Sequence, residues 1–247
     1  MSLTLLGASS YANPVQPGGG GGPPTWTFVR GEGTDSGSGT STLTHVFSTN
    51  VTSGNVIVVC FTYSSPSSKI TSIVDTVGTT YIATPAASGS AAGFTIDSGN
   101  GQCFHCYYGF AAGSGANTIT VTLSETEDNK GIAVVEFSCD LTAAYDASDG
   151  AFDATGSTGT DGDVTPSITT TTNGDLLVGC TMGTSTGTTA WTAGTNFTER
   201  IEITAASGSG PEMETRVQAT AGSGTNATWT ASDTSQYCSF VVAFKGT

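Results

Sequence analysis

The feature that most constrains this chain is an internal repeat. Gly54-Asn55-Val56-Ile57-Val58-Val59-Cys60 resembles Gly174-Asp175-Leu176-Leu177-Val178-Gly179-Cys180. Asp75-Thr76-Val77-Gly78-Thr79-Thr80-Tyr81 resembles Trp191-Thr192-Ala193-Gly194-Thr195-Asn196-Phe197. Ala112-Gly113-Ser114-Gly115-Ala116-Asn117 resembles Ala221-Gly222-Ser223-Gly224-Thr225-Asn226, and Val134-Val135-Glu136-Phe137 resembles Val241-Val242-Ala243-Phe244. The offsets are 120, 116, 109 and 107, in unbroken order. A steadily falling offset is what loop shortening in a second copy produces. Any fold for this chain must therefore use one pattern twice, with halves at residues 54–137 and 174–244.

That pattern is β. From Trp26 onward apolar residues recur with period two between turns rich in Gly, Ser, Asp and Asn. Strands are predicted at 26–30, 43–47, 56–63, 70–75, 80–83, 94–96, 103–110, 118–123 and 132–138, then at 164–170, 176–181, 197–204, 213–219, 227–230 and 239–244. Gly makes up 34 of 247 residues and long stretches of helix formers are few, which argues against a bundle or an α/β fold. The expectation is an all-β, antiparallel sandwich of jelly-roll type over residues 25–247. Each half supplies one apolar face, and the two pack over one core about 10 Å thick. The alternative is two small β domains joined near residues 147–163, a polar stretch that reads as a linker or a long surface loop. Each half alone, at roughly 90 residues, is thin in large apolar side chains, which favours the single sandwich.

Residues 1–24 form a separate arm. Residues 12–24 read ANPVQPGGGGGPP, and five glycines between prolines fit neither a helix nor a central strand. This spacer separates an apolar tip, Leu3, Leu5 and Leu6, from the body. A purely solvated tail has no need of those leucines, so the tip is expected to order on a partner. The N-terminus has no basic region and too short an apolar run for a secretory signal, and Met1 argues against a signal already removed. Sequons at Asn50, Asn196 and Asn226 are expected by chance in a Thr-rich chain.

Charge narrows the partners. Six Lys and Arg against 20 Asp and Glu give a net charge of −14. Phosphate neutralisation takes clustered cations, so a nucleic-acid partner is excluded, and docking on anionic lipid is disfavoured. No apolar run reaches 18 residues, so no membrane insertion is expected. The scarcity of Lys and the abundance of small hydroxylated residues suit an exterior protein.

Constellations with chemistry are few. Six cysteines stand at 60, 103, 106, 139, 180 and 238. In Cys103-Phe104-His105-Cys106 a strand sends Cys103 and His105 to one face and Cys106 to the other, so no zinc site is expected there. Cys60 and Cys180 hold equivalent repeat positions and read as buried thiols acting as small hydrophobes, with disulfides as the alternative. Acidic clusters at 125–128, at Asp146, Asp149 and Asp153, and at 161–163 are candidates for Ca²⁺, though none matches a known calcium loop. His45 and His105 both fall in predicted strands and no GxSxG elbow exists, so no catalytic residues are assigned. Glu136 is a carboxylate in an apolar strand, read as a strand-end polar contact. Aromatic residues on β loops can stack on sugar rings. Trp191, Trp229, Tyr107, Tyr108 and Tyr145 are candidates, with Trp191 and Tyr145 the preferred glycan contacts.

The succession GNVIVV, ITSIVDTVGTTYIAT, YYGFAAGSGANTITVTLS and IAVVEFS resembles a β-sandwich domain of uncharacterised bacterial surface proteins and phage structural proteins of the decoration and fibre type. There the pattern is roughly GNLLVV, VTDSxGNxY, an aromatic strand, a Gly-rich turn with TVTV, and an EYSGL-like strand. The resemblance covers residues 54–141 and departs at Cys139, where Gly is usual. Ser2-Leu3-Thr4-Leu5-Leu6-Gly7 also resembles the starts of some phage decoration and fibre proteins. These are turn and strand signatures, which imply fold and bring no catalytic residues. The implied protein is a non-enzymatic virion component on a capsid or tail surface, without a cofactor. Its partners would be a major capsid or tail protein, reached through Leu3, Leu5 and Leu6, and further copies of itself, a trimer among the options. The alternatives are a carbohydrate-binding or adhesion domain on a virion or cell surface, and a subunit of an extracellular filament.

Overall fold

Alternation along the chain becomes strand after strand, joined by short turns. The computed structural model describes residues 22–65, 68–84, 94–96, 102–153, 165–183, 190–203, 210–231 and 237–247. The first half contains β1 (Trp26–Ser36), β2 (Thr40–Val46), β3 (Val56–Ser64), β4 (Ile70–Asp75) and β5 (Ile82–Ala83). It continues with β6 (Phe94–Ile96), β7 (Gln102–Phe110), β8 (Thr118–Glu127) and β9 (Lys130–Cys139). The second half contains β10 (Ala143–Asp153), β11 (Ile168–Thr170), β12 (Asp175–Gly183), β13 (Trp191–Ala193) and β14 (Thr198–Glu202). It closes with β15 (Glu212–Gln218), β16 (Gly222–Thr225), β17 (Trp229–Ala231) and β18 (Tyr237–Gly246). Among the described residues, no helix is long and apolar enough to cross a membrane.

The strands form an antiparallel sandwich. One large sheet runs β1-β9-β3-β7-β5, with β6 also on β7; the other runs β10-β18-β12-β15-β14. The repeated motifs fall at corresponding places. GNVIVVC opens β3 and GDLLVGC opens β12, while VVEF lies in β9 and VVAF in β18. Gly54 (φ 87°) and Gly174 (φ 85°) turn the chain into β3 and β12 in the left-handed region that only glycine enters freely.

The two large sheets pack face to face, as the repeat implies. Val56, Val58, Cys60, Phe104, Cys106 and Val135 meet Leu176, Val178, Cys180, Met213, Phe240 and Val242 in one central core. The expected single core is nevertheless incomplete. Ile57, Val59, Phe61 and Val134 point the other way, into an outer core closed by a small sheet β2-β8-β4. Leu177, Val241 and Ala243 likewise point outward, to Trp191, Ala227 and Trp229, beneath the two-stranded sheets β11-β16 and β13-β17. The physical reason lies in β3, which is covered from Val56 through Tyr63 without a break. A strand apolar on both faces needs cover on both, and one partner sheet supplies only one.

The polar stretch at 147–163 is also corrected in part. Its first residues belong to β10, which pairs with β18 along its length, with a bulge between Tyr145 and Ala147. Residues 154–164, with the acidic pair Asp161 and Asp163, lie outside the described residues, as do Leu3, Leu5 and Leu6.

Candidate functional site

Residues 23–26 enter the body at a built seat on the seam between the halves. Pro24 is buried there. A Cβ on Gly174 would come within 2.7 Å of Pro23 Cβ and 2.9 Å of Pro24 Cδ. One on Gly246 would come within 2.5 Å of Pro24 Cβ. Two glycines, one at the turn into β12 and one at the end of β18, thus make the space that the prolines fill. The next residues fasten this seat. Thr25 N donates to Asp140 Oδ1 at 2.8 Å, and Asp140 N donates back to Thr25 O at 3.2 Å. The first of these bonds holds the Asp140 carboxyl below the usual range. Trp26 Nε1 donates across the seam to Gly174 O at 2.9 Å.

A cleft of ≈ 400 Å³ opens beside the seat, lined by Trp26, Phe28, Asn196, Thr198, Arg200 and Thr215 among others. The Arg200 guanidinium lies 4.3 Å above the Phe28 ring, and its Nε donates to Thr215 Oγ1 at 2.6 Å. A second opening of ≈ 570 Å³ is lined in part by Asn55, Phe110, Asp140 and Leu141.

The preferred glycan contacts sit elsewhere, Trp191 buried and Tyr145 half-buried. Trp191 is 6% exposed and packs in the outer core of the second half. Tyr145 is half-buried against the central core, stacked on Tyr108 with ring centroids 5.1 Å apart, and its hydroxyl bonds Ser148 Oγ at 2.9 Å. Trp229 is buried as well. The reason is the alternation of each strand, which turns these rings into the layers and the threonines outward.

Glu136 is a buried ion pair and not a strand-end contact. Its Oε2 lies 2.8 Å from Arg30 Nε, and Asn55 Nδ2 donates to its Oε1 at 2.6 Å. Arg30 in turn donates to the carbonyls of Thr49 and Asn50. The charge is matched, and the pair ties β1 and β9 to the turn before β3.

Two further buried carboxylates escaped the sequence reading. Glu212 and Glu214 alternate with Met213 on β15, which puts them on the outer face, opposite Glu202 and Glu199 of β14. Glu214 Oε2 accepts from Gly194 N at 2.7 Å. Burial pushes its carboxyl up to about 8, against the bonds from Gly194 and Thr228. Burial, reinforced by Glu214, pushes Glu212 well up too, against the Trp229 indole. The available signal was the alternation of Glu212 and Glu214 with Met213 at the start of a predicted strand.

Both histidines and Asp146 find partners in the layers. His105 stacks on Tyr63, whose hydroxyl lies 3.1 Å from Nε2, and burial lowers its pKa to about 4. His45 lies 3.4 Å from Glu32. Asp146 pairs with Lys245 at 3.2 Å and accepts from Thr171 N at 2.7 Å. Among the described residues, the only three His, Cys, Asp or Glu side chains close enough to share an ion are Cys60, Cys106 and Cys180, whose sulfurs lie within 4.8 Å of one another. Cys103 faces the outer core and Cys106 the central one, as alternation requires. Against proteins of known family, curated function or solved structure, the chain finds no match: no family model, no curated protein and no solved structure.

Proposed function

We propose that this chain is a non-enzymatic structural protein of a phage virion, decorating a capsid or tail as a homo-oligomer and attached through its N-terminal arm. The observation that carries the reading is the seat of Pro23 and Pro24 against Gly174 and Gly246. A tail with no task needs no fixed exit, whereas a tether gains by leaving the body at one place and in one direction. Leu3, Leu5 and Leu6 would then be delivered to a capsid or tail protein at a distance set by the glycine spacer. The strand orders β1-β9-β3-β7 and β2-β8-β4 support reading the first half as a jelly roll, and the matching order in the second supports duplication.

The test is removal of residues 1–20, which leaves Pro23, Pro24 and Trp26 seated. Native particles from the source are sedimented and the chain is quantified in the heavy fraction by mass spectrometry. The full chain should co-sediment at fixed stoichiometry, and the truncated chain should stay in the supernatant with unchanged melting. Binding that survives truncation would refute the tether. Homopolymers in the heavy fraction would favour a filament subunit.

The cleft at Arg200 favours a second reading, a carbohydrate-binding or adhesion domain. In a chain of net charge −14, a guanidinium stacked on Phe28 beside Trp26, Asn196 and Thr198 suits an acidic sugar. That reading requires glycan binding that survives loss of the arm and disappears in Arg200→Ala.

A further inference from the structure

The sulfurs of Cys60, Cys106 and Cys180 meet because the two central strands face each other. Cys60 lies opposite Cys106 on the β3–β7 ladder, and Cys180 lies opposite Met213 on the β12–β15 ladder. Cys60 and Cys180 occupy the same place in the repeated motif, so packing one large sheet on the other brings them together. The second half has Met213 where the first has Cys106. The central core therefore brings three thiols together, and Cys238, Met182 and Met213 belong to the same core.

We propose that Cys60, Cys106 and Cys180 form a binding site for a soft monovalent metal ion, Cu(I), held between the two halves. Geometry supports it. Three sulfurs in a plane around one ion, each at a metal–thiolate distance of about 2.3 Å, stand about 4.0 Å apart. Cys106 Sγ and Cys180 Sγ are 3.8 Å apart, and no pair in the trio exceeds 4.8 Å. Shifts of a few tenths of an ångström close the site, which packed side chains reach by small χ1 rotations.

Donor chemistry selects the ion. All three ligands are sulfur, a set that favours Cu(I) over the harder divalent ions. Three sulfurs satisfy trigonal Cu(I), whereas structural zinc takes four ligands. Each thiol that ligates does so as thiolate and releases its proton to solvent. Since the trio is fully covered, the ion enters while the halves dock.

The test refolds the full chain anaerobically with one equivalent of Cu(I) delivered by a weak chelator, and in parallel with Zn(II). After gel filtration, metal is counted by mass spectrometry and the copper environment is read by X-ray absorption. One copper per chain, a shell of three sulfurs and a higher melting temperature are expected. Cys60→Ala, Cys106→Ala and Cys180→Ala should each lower retention at least tenfold, while Cys139→Ala, outside the trio, should not. Should a trio variant fail to fold, the absorption spectrum of the unaltered chain decides by itself. No copper retained, a shell without three sulfurs, retention equal in a trio variant, or preference for Zn(II) would overturn the proposal. So would a Cys106–Cys180 disulfide in peptides from the native protein.

Discussion

Glu214→Gln is expected to make this protein more stable, and increasingly so as pH rises. Glu214 is fully covered on the outer face of β15, with one carboxyl oxygen on the Gly194 amide. Its pKa is raised from 4.5 to about 8, chiefly by burial. A carboxyl raised on folding keeps its proton in the folded chain over a window in which the unfolded chain has lost it. Its contribution is therefore fully present below about pH 4.5 and is lost as pH climbs through about 8. At about 1.36 kcal/mol per pH unit the ceiling is about 5 kcal/mol, and the part falling between pH 5 and 8 is about 3.5 kcal/mol. Gln has nearly the shape of the protonated acid and no charge to gain. Guanidinium unfolding of both proteins at pH 5, 6.5 and 8 reads this group together with its effect on the neighbouring Glu212, whose carboxyl Glu214 helps push up. The stability difference should grow by about 3.5 kcal/mol over that range, in favour of the variant. Parallel curves, within about 0.5 kcal/mol, would show that Glu214 ionises in place and that the burial argument fails.

Other substitutions test the layers. Glu136→Ala should cost about 3–5 kcal/mol in chemical unfolding by stranding Arg30, and adding Arg30→Met should recover much of it. Trp191→Ala should lower stability by about 3–5 kcal/mol, the signature of a core ring, as read by thermal unfolding. Gly246→Ala should drive Pro24 from its seat, cost about 1–3 kcal/mol, and shift the Trp26 indole N–H resonance as its bond to Gly174 is disturbed.

Much of the architecture was legible because it depends on local pattern. Period-two alternation fixed strand type and the approximate position of most strands, and Gly54 and Gly174 marked equivalent turns. The repeat foretold two sheets facing each other. The outer layers were harder to read, yet Val56-Ile57-Val58-Val59-Cys60-Phe61 carried them. A continuous apolar run belongs to a strand covered on both sides. The start of the 147–163 stretch reads as a linker or loop because Ser148 and Asp149 are turn formers by composition, and only pairing with β18 makes them a strand.

The sites divide along the same line. Sequence alone determined the fold class, the acidic balance and the face to which each strand residue points, since these follow from composition and from the geometry of a single strand. Tertiary structure decided which faces meet. It buried Trp191, packed one side of Tyr145 on Tyr108, gave Glu136 its partner in Arg30, and set Pro23 and Pro24 against two glycines distant in sequence. It also gathered Cys60, Cys106 and Cys180 from three strands. The Cys180 contact spans 74 residues to Cys106, and no local pattern encodes a meeting across two sheets. Packing decides it, by the shapes and volumes that the whole core must reconcile.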